Sequence, residues 1–451
     1  MKLTNFINTN YSNHKKSKCK IFFPNTLSDL FQVIDFAKKN KKKILVIGAG
    51  LSWFDTIFNT NNILVNLKNY KKNFNFDKKK GILEVSSSFK INQILTIINK
   101  HDWSLYSIPG ADNVTIGGCI GNDVHGKDSF RHGNFCENII EIEILLANKK
   151  TIKCSKTKNS KIYKSVVGGL GLIGIILSAK FNLKKIVKTY KTDHFICANY
   201  KEIIKVIYTN NNSYDYINGW INIFSRKKNL GSGAIFKSKK VPNENFSSAK
   251  NINTSYFLSK VQKLVFSFFV KNNLMNILNY FIFYLFKFKE NNYNKYKDIT
   301  YPLSSYGVDI KDAIKPNSFF EIQIILKKKD LPIALKNFIL KCQKLKLNGF
   351  IIGIKMHKQN SNYLSFSDNG VSININQIFN KKNFNEQYNK IKTLHNYIIQ
   401  KKYKIYLCKD FLINKKDFRL NYSNSNKFLL MKKKLDPKEL FYSDFYKRII
   451  Q

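Results

Sequence analysis

The sequence predicts an α+β protein of two or three domains, and three observations carry that prediction. Its 451 residues can bury large cores. Three glycine-rich turns fall near the N-terminus: Gly48-Ala49-Gly50-Leu51-Ser52, the run IPGADNVTIGGCIGNDVHGK at 108–127, and Gly168-Gly169-Leu170-Gly171-Leu172-Ile173-Gly174. From about Lys188 such loops stop, and a second region of strands and helices begins.

The elements follow in order. Residues 27–37 place apolar side chains at helical spacing behind a capping signal and lead into an apolar strand at 43–47 and the first glycine turn. Further strands are predicted at 62–67 and 81–85, a helix at 91–98, and strands at 139–147 and 151–153 around an Asn148-Lys149-Lys150 turn. A helix at 162–167 meets the third glycine loop, and 174–183 returns as a strand. The second region holds strands at 216–224, 233–236, 319–326, 350–356 and 370–375, alternating with helices at 331–346 and 384–401. In the tail, 407–451, a strand-like YLCKD carries Lys409, and Asp436-Pro437 is a turn that starts another short helix.

The formal charge of +48 invites a nucleic-acid-binding reading. Yet only Arg131, Arg226, Arg419 and Arg448 are arginines, and the lysines are spread along the whole chain. Phosphate and nucleic-acid sites favour the planar guanidinium fork, so no nucleic acid is expected, while an anionic substrate or lipid is favoured. The seven cysteines are scattered without a CxxC pair, which argues for a reducing compartment and against disulfides or a zinc site. The N-terminus has no apolar h-region, so a cytoplasmic protein is expected. The aromatic and basic segment 256–288 has its longest apolar run at 280–286. That run is far below the ~20 residues of a spanning helix. The segment reads either as a helical hairpin packed on its own domain or as a lid that contacts a membrane surface peripherally, at the inner face of the cell membrane.

Dense glycines let the main chain approach a ligand and adopt positive φ, and successive N–H groups form concavities for phosphate oxygens. Three such loops point to an extended diphosphate cofactor wrapped by backbone. ILVIGAG at 44–50 looks like the start of a dinucleotide fingerprint, but the third glycine position is Trp53 and no acid follows about 20 residues on. The three loops together, in this order and separation, resemble the FAD-binding domain of the vanillyl-alcohol-oxidase superfamily. Within it they are similar to the decaprenylphosphoryl-β-D-ribose 2′-oxidase group. The resemblance runs nearly end to end, through GNDVHGKD at 121–128, Trp220-Ile221-Asn222 with Leu230-Gly231-Ser232-Gly233, Tyr301-Pro302-Leu303, Tyr406-Leu407-Cys408-Lys409-Asp410, and LDPKELFYSD at 435–444.

The resemblance implies a two-subdomain PCMH-type FAD-binding domain at 1–187. It also implies an α+β substrate domain with an antiparallel sheet at 188–403, and a C-terminal return at 404–451 that brings Lys409 to the flavin. Implied cofactor contacts are Gly48, Ala49, Gly50, Leu51, Ser52, Pro109, Thr115, Ile116, Gly117, Gly118, Gly121, Asn122, Val124, His125, Gly126, Gly169, Gly171, Gly174, Ile175 and Lys409. Many members attach flavin through a histidine where this chain has Leu51, which has no nucleophile, so non-covalent FAD is expected. Lys409 is the expected cation beside reduced flavin, and with His125 it forms the catalytic pair. Lys127, Trp220, Gln323, Ser372 and Trp53 are expected on the substrate side. Lys355, alternating with apolar neighbours in its strand, is expected to hold a substrate phosphate. The chain departs from the group in having Glu321-Ile322-Gln323 for Gln-x-Gln, Ser372 for a cysteine, and Asn374 for an aspartate.

The expected reaction is FAD-dependent oxidation of a secondary sugar hydroxyl, the 2′-hydroxyl of a polyprenylphosphoryl pentose. A short-chain reductase partner would complete an epimerisation in cell-envelope polysaccharide synthesis. A soluble alditol or sugar-lactone oxidase is the second enzymatic reading, and a basic nucleic-acid-binding protein the reading from another class.

Overall fold

The computed structural model describes residues 2–13, 15–241, 256–272, 274–287, 292–301, 314, 317–349 and 352–450. The start of the strand expected at 350 and most of Tyr301-Pro302-Leu303 lie outside them.

The helix Leu27–Lys39 starts where the sequence places it. Thr26 and Asp29 form a reciprocal capping box, and Leu30, Val33, Ile34 and Ala37 are buried. This helix packs on a four-stranded sheet ordered Thr4–Thr9, Lys16–Phe22, Ile63–Asn66 and Ile44–Ile47. The first pair is antiparallel, and the other pairings are parallel. At the open edge the C-terminal tail adds itself: Ile44 N–H donates to Leu440 O (2.7 Å), and Tyr442 N–H donates to Ile44 O (2.9 Å).

A second, wholly antiparallel sheet runs Phe74–Asp77, Ile82–Ser86, Ile175–Asn182, Ile139–Leu145, Thr151–Cys154. The helices Ile91–Ile98, Ile116–Gly121 and Ser160–Val166 share its core.

The third sheet has eight strands, all antiparallel. Their order is Asn292–Lys295, Thr189–Cys197, Gly233–Lys240, Tyr216–Ile221, Gly353–His357, Gly370–Phe379, Ser318–Lys327, Lys404–Ile405. Strand side chains alternate between faces. Ile322, Ile324, Ile354, Ile373 and Ile375 therefore join the core under the helices Tyr200–Tyr208, Leu331–Lys344 and Phe384–Gln400. Glu321, Gln323, Lys355, His357, Ser372 and Trp220 occupy the alternate positions, on the opposite face. Within 256–288, the described residues form two helices, Tyr256–Lys271 and Met275–Lys287.

Three expectations need correction. The hairpin of Thr4–Thr9 and Lys16–Phe22 was not predicted, because its Asn and Lys residues hide the alternation, and neither was the strand Thr189–Cys197. Lys409 does not lie in a strand: pairing ends at Ile405, and Leu407–Lys409 is a single tight helical turn. Asp436-Pro437 ends a helix, Ser425–Leu435, instead of starting one. The Asp436 carboxylate accepts from Leu440 N (2.8 Å) and Phe441 N (2.8 Å) and pairs with the buried Lys432 ammonium. Those bonds hold the turn open, and the next helix begins only at Asp444.

Candidate functional site

The three glycine loops converge. A Cβ on Gly48 would lie 2.1 Å from Thr115 Oγ1, so the first loop rests on the second. Leu170 N–H donates to Gly121 O (2.8 Å) and Gly168 N–H to Ile120 O (3.0 Å), joining the second to the third. Thr115 caps the turn that follows it by accepting from Gly118 N (3.2 Å).

Not every glycine here has the same reason. Gly117, Gly126, Gly169 and Gly174 are demanded by packing: a Cβ would meet Ser87, Ser107, Ser165 O and Leu145 O at 3.1, 2.7, 2.1 and 2.5 Å. Gly50, at φ +71°, and Gly110 have nothing within 4 Å of a Cβ, and Gly118 meets only Thr115 Oγ1. Gly50 and Gly110 turn bare main chain toward open space, and at Gly118 the only neighbour is that hydroxyl, at 3.1 Å. Asn122 Oδ1 nearby is buried without a partner among the described residues. The open, glycine-lined main chain fits a diphosphate-containing cofactor, while Asn122 Oδ1 could accept only from an N–H or O–H group of it. Ile116 and Ile175 are core side chains, so only their main chain could serve it. Ala49 is exposed, while Leu51, Ser52, Pro109 and Val124 are half-buried.

Beside the cradle, the eight-stranded sheet and the tail bring charged groups together. The Lys409 ammonium pairs with the Glu321 carboxylate, whose side chain is 2% exposed, and lies 4.7 Å from the centre of the Trp53 ring. Trp53 is held from below by Tyr11 and Phe319, at ring separations of 5.2 and 4.9 Å. The Trp53 main-chain N–H donates to Cys408 O (3.4 Å). Arg448 clamps the two loops: Nε and Nη2 donate to Asp55 (2.9 and 3.0 Å), and Nη1 donates to Asp410 Oδ2 (2.9 Å).

Burial pushes the Glu321 carboxyl above its ordinary value, and Lys409 and Lys355 pull it back. Burial and the Lys409 charge push Lys355 down to about 8. Burial and Lys355 push Lys127 down to about 7, and the Lys127 ammonium donates to Ile299 O. Lys409 and Lys355 thus act on Glu321, and Lys127 neighbours Lys355, a run of positive charge that an anion would relieve.

His125, 6% exposed, receives a bond from Gln323 Nε2 (3.1 Å) and sits among His357, Tyr406 and Phe366 at ring separations of 4.6, 5.5 and 5.8 Å. Burial first, and with it the charges of Lys355 and Lys409, holds its imidazole well below the usual value. Gln323 also reaches Ser372 Oγ (3.3 Å), and Tyr406 OH donates to Asn122 O (2.9 Å). His125, Gln323, Ser372, Lys355, Lys409 and Trp53 are therefore brought together, with Lys127 linked through Lys355. Trp220 lies further across the same sheet face, opposite Gly353.

Sequence reasoning missed His357 and the pairing of Glu321 with Lys409. His357 was within reach of it, since it lies two residues beyond Lys355 on an alternating strand. The ion pair spans 88 residues of sequence and carries no local signal.

Residues 20–155 match the FAD binding domain family. The chain is 22% identical over 422 residues to the decaprenylphosphoryl-beta-D-ribose oxidase of Mycolicibacterium smegmatis, covering 92% of this chain and 90% of that protein. It is 24% identical to the L-gulonolactone oxidase of Mus musculus, over 34% of this chain and 35% of that protein. It is 26% identical to the D-arabinono-1,4-lactone oxidase of Debaryomyces hansenii, over 39% of this chain and 34% of that protein. The converging loops and these similarities together support an FAD-dependent oxidoreductase acting on CH–OH groups, with a PCMH-type FAD-binding domain and relatives that are oxidases of the vanillyl-alcohol-oxidase type.

Proposed function

We propose that this enzyme oxidises the 2′-hydroxyl of a pentose carried on a polyprenyl phosphate. The resulting keto-sugar passes to a reductase partner, which completes an epimerisation for cell-envelope polysaccharide. The observation that carries this reading is the run of Lys127, Lys355 and Lys409, with Glu321 paired to Lys409 and Gln323 bonded to His125 beside it. A sugar phosphodiester brings one anionic group to the lysines and neutral hydroxyls to the amide and imidazole.

FAD, when bound, accepts the two electrons of the oxidation. Lys409 holds a positive charge near where negative charge develops, and Trp53 shields that charge from water. Lys355 and Lys127 bind the phosphate. Gln323 and His125 orient the sugar. The cofactor is held without a covalent link, Leu51 offering no nucleophile. The chain divides into a cofactor domain at 1–187, a substrate domain at 188–403 and a returning tail at 404–451.

The helical pair at 256–288 supplies access to lipid. Leu264, Phe268, Phe281 and Tyr284 are 70, 56, 55 and 58% exposed, while Met275 and Leu278 pack toward Trp53 and Phe319. No helix among the described residues is long and apolar enough to cross a membrane. Exposed aromatic and aliphatic side chains on a strongly basic chain suit an anionic bilayer surface, with the substrate entering past Trp53.

The test is anaerobic reduction of the purified, flavin-loaded protein, read as bleaching of its visible absorbance. Polyprenylphosphoryl ribose or arabinose should bleach it, whereas free alditols and sugar lactones should not. Bleaching by the free sugars alone would replace this reading with that of a soluble alditol or lactone oxidase.

A further inference from the structure

Behind the site, buried side chains form one hydrogen-bonded line whose direction can be read from its far end. Asn134 Nδ2 donates to the main-chain carbonyl of Asp123 (3.1 Å) and to its carboxylate Oδ2 (3.0 Å). The carbonyl can only accept, so the Asn134 amide is held with Oδ1 facing away as an acceptor. Ser367 Oγ gives its single proton to that oxygen (2.6 Å). Toward His357 Nδ1, 3.2 Å away, Ser367 can then only accept, so Nδ1 carries the imidazole proton. His357 is 5% exposed, and burial together with the Lys355 charge pushes it down to about 3, leaving it neutral. Its Nε2 is therefore an acceptor, and Ser372 Oγ, 2.8 Å away, donates to it. Ser372 in turn accepts from Gln323 Nε2 (3.3 Å). The second proton of that amide nitrogen goes to His125 Nε2 (3.1 Å).

We infer that this line fixes His125 as its neutral Nδ1–H tautomer, making it a hydrogen-bond donor to an oxygen of the bound ligand, with Gln323 Oε1 as the matching acceptor. His125 Nδ1 and Gln323 Oε1 are both buried and have no partner among the described residues. A buried donor and acceptor left unmet are costly, and a hydroxyl that accepts from one and donates to the other satisfies both. In this tautomer the unpartnered nitrogen has no lone pair to offer, so His125 holds an oxygen and does not remove its proton. His357 and Ser372 are positioning residues that act through Gln323. The assignment of the oxygen to a sugar hydroxyl rests on the proposed oxidation, but the tautomer does not.

The experiment is a long-range proton–nitrogen correlation of the histidine rings in deuterated, ¹⁵N-labelled holoprotein, with His125→Gln assigning the signal. A protonated Nδ1 and bare Nε2 on His125 are expected. In His357→Phe the Ser372 proton loses its acceptor and turns to Gln323, so the amide can reverse and His125 should gain the Nε2–H form. Ser372→Ala carries the same test should the first variant not fold: with Gln323 released, both tautomers should appear. A bare Nδ1 in the wild-type protein, or an unchanged tautomer in the folded variants, would overturn the inference. The readout needs no substrate, so failure of polyprenylphosphoryl pentoses to reduce the flavin would leave it standing.

Discussion

Replacing Lys409 by Met removes the ammonium but keeps most of the side chain's volume, and it strands Glu321. That carboxylate is 2% exposed, and Lys409 is the partner it pairs with among the described residues. Removing one member of a buried ion pair typically costs about 3–5 kcal/mol, because the other charge stays desolvated. With an unfolding entropy of about 2 cal/mol/K per residue, a chain of 451 residues melting as one unit would lose about 3–5 °C. The pH dependence has a definite sign. Glu321 already has a raised value in the folded protein, and without Lys409 it rises further. A carboxyl raised on folding favours the folded state at acid pH and loses that contribution as pH climbs through its folded value. The Lys409→Met deficit should therefore be larger at pH 8 than at pH 5. Adding Glu321→Gln replaces the stranded charge with a neutral amide and should recover about 2–3 kcal/mol. On the role proposed for the ammonium, flavin reduction should stay low in both. The assay is calorimetry at saturating FAD, alongside single-turnover flavin bleaching. A single variant within 1 °C of wild type, or a double variant no more stable than the single, would refute the reasoning about this pair.

Two further outcomes are expected. Lys127 and Lys355, held down to about 7 and 8, lose charge as pH rises from 7 to 9, so KM for a lipid-phosphate substrate should climb about tenfold over that range. Their folded values lie below the ordinary lysine value, so charging them at lower pH costs stability, and anion binding should raise the melting temperature more at pH 6 than at pH 9. A flat KM would argue against a phosphate at these lysines. In Gly48→Ala the new Cβ falls 2.1 Å from Thr115 Oγ1 and must displace the side chain that caps Ile116–Gly121. The variant should lose about 1 kcal/mol from the cap and elute from gel filtration with substoichiometric flavin; full flavin occupancy would refute the steric account.

Local chemistry explains what could be read along the chain. The cap at Thr26, the core helix Leu27–Lys39 and the strands of the second sheet other than Phe74–Asp77 follow from periodicity and turn residues, which act over a few positions. The alternation that sets Lys355 apart from Ile354 and Met356 likewise foretold its side of the sheet. Where polar residues dilute that alternation, as in Thr4–Thr9, the strand went unread, because its pairing partner supplies the ordering that its own side chains do not.

The sequence by itself determined the glycine loops, the absence of a nucleophile at Leu51 and the reservoir of lysines. Each of these depends only on which atoms a residue does or does not carry. The tertiary structure decided which glycines face open space and which are pressed against Ser107, Ser165 and Leu145. It also decided that Lys409, one lysine among many, pairs with Glu321 over Trp53, and that a line from Asp123 to His125 has a direction. Those are properties of distance, burial and shared protons between residues far apart in sequence, and they come into being only when the sheets and the returning tail close on one another.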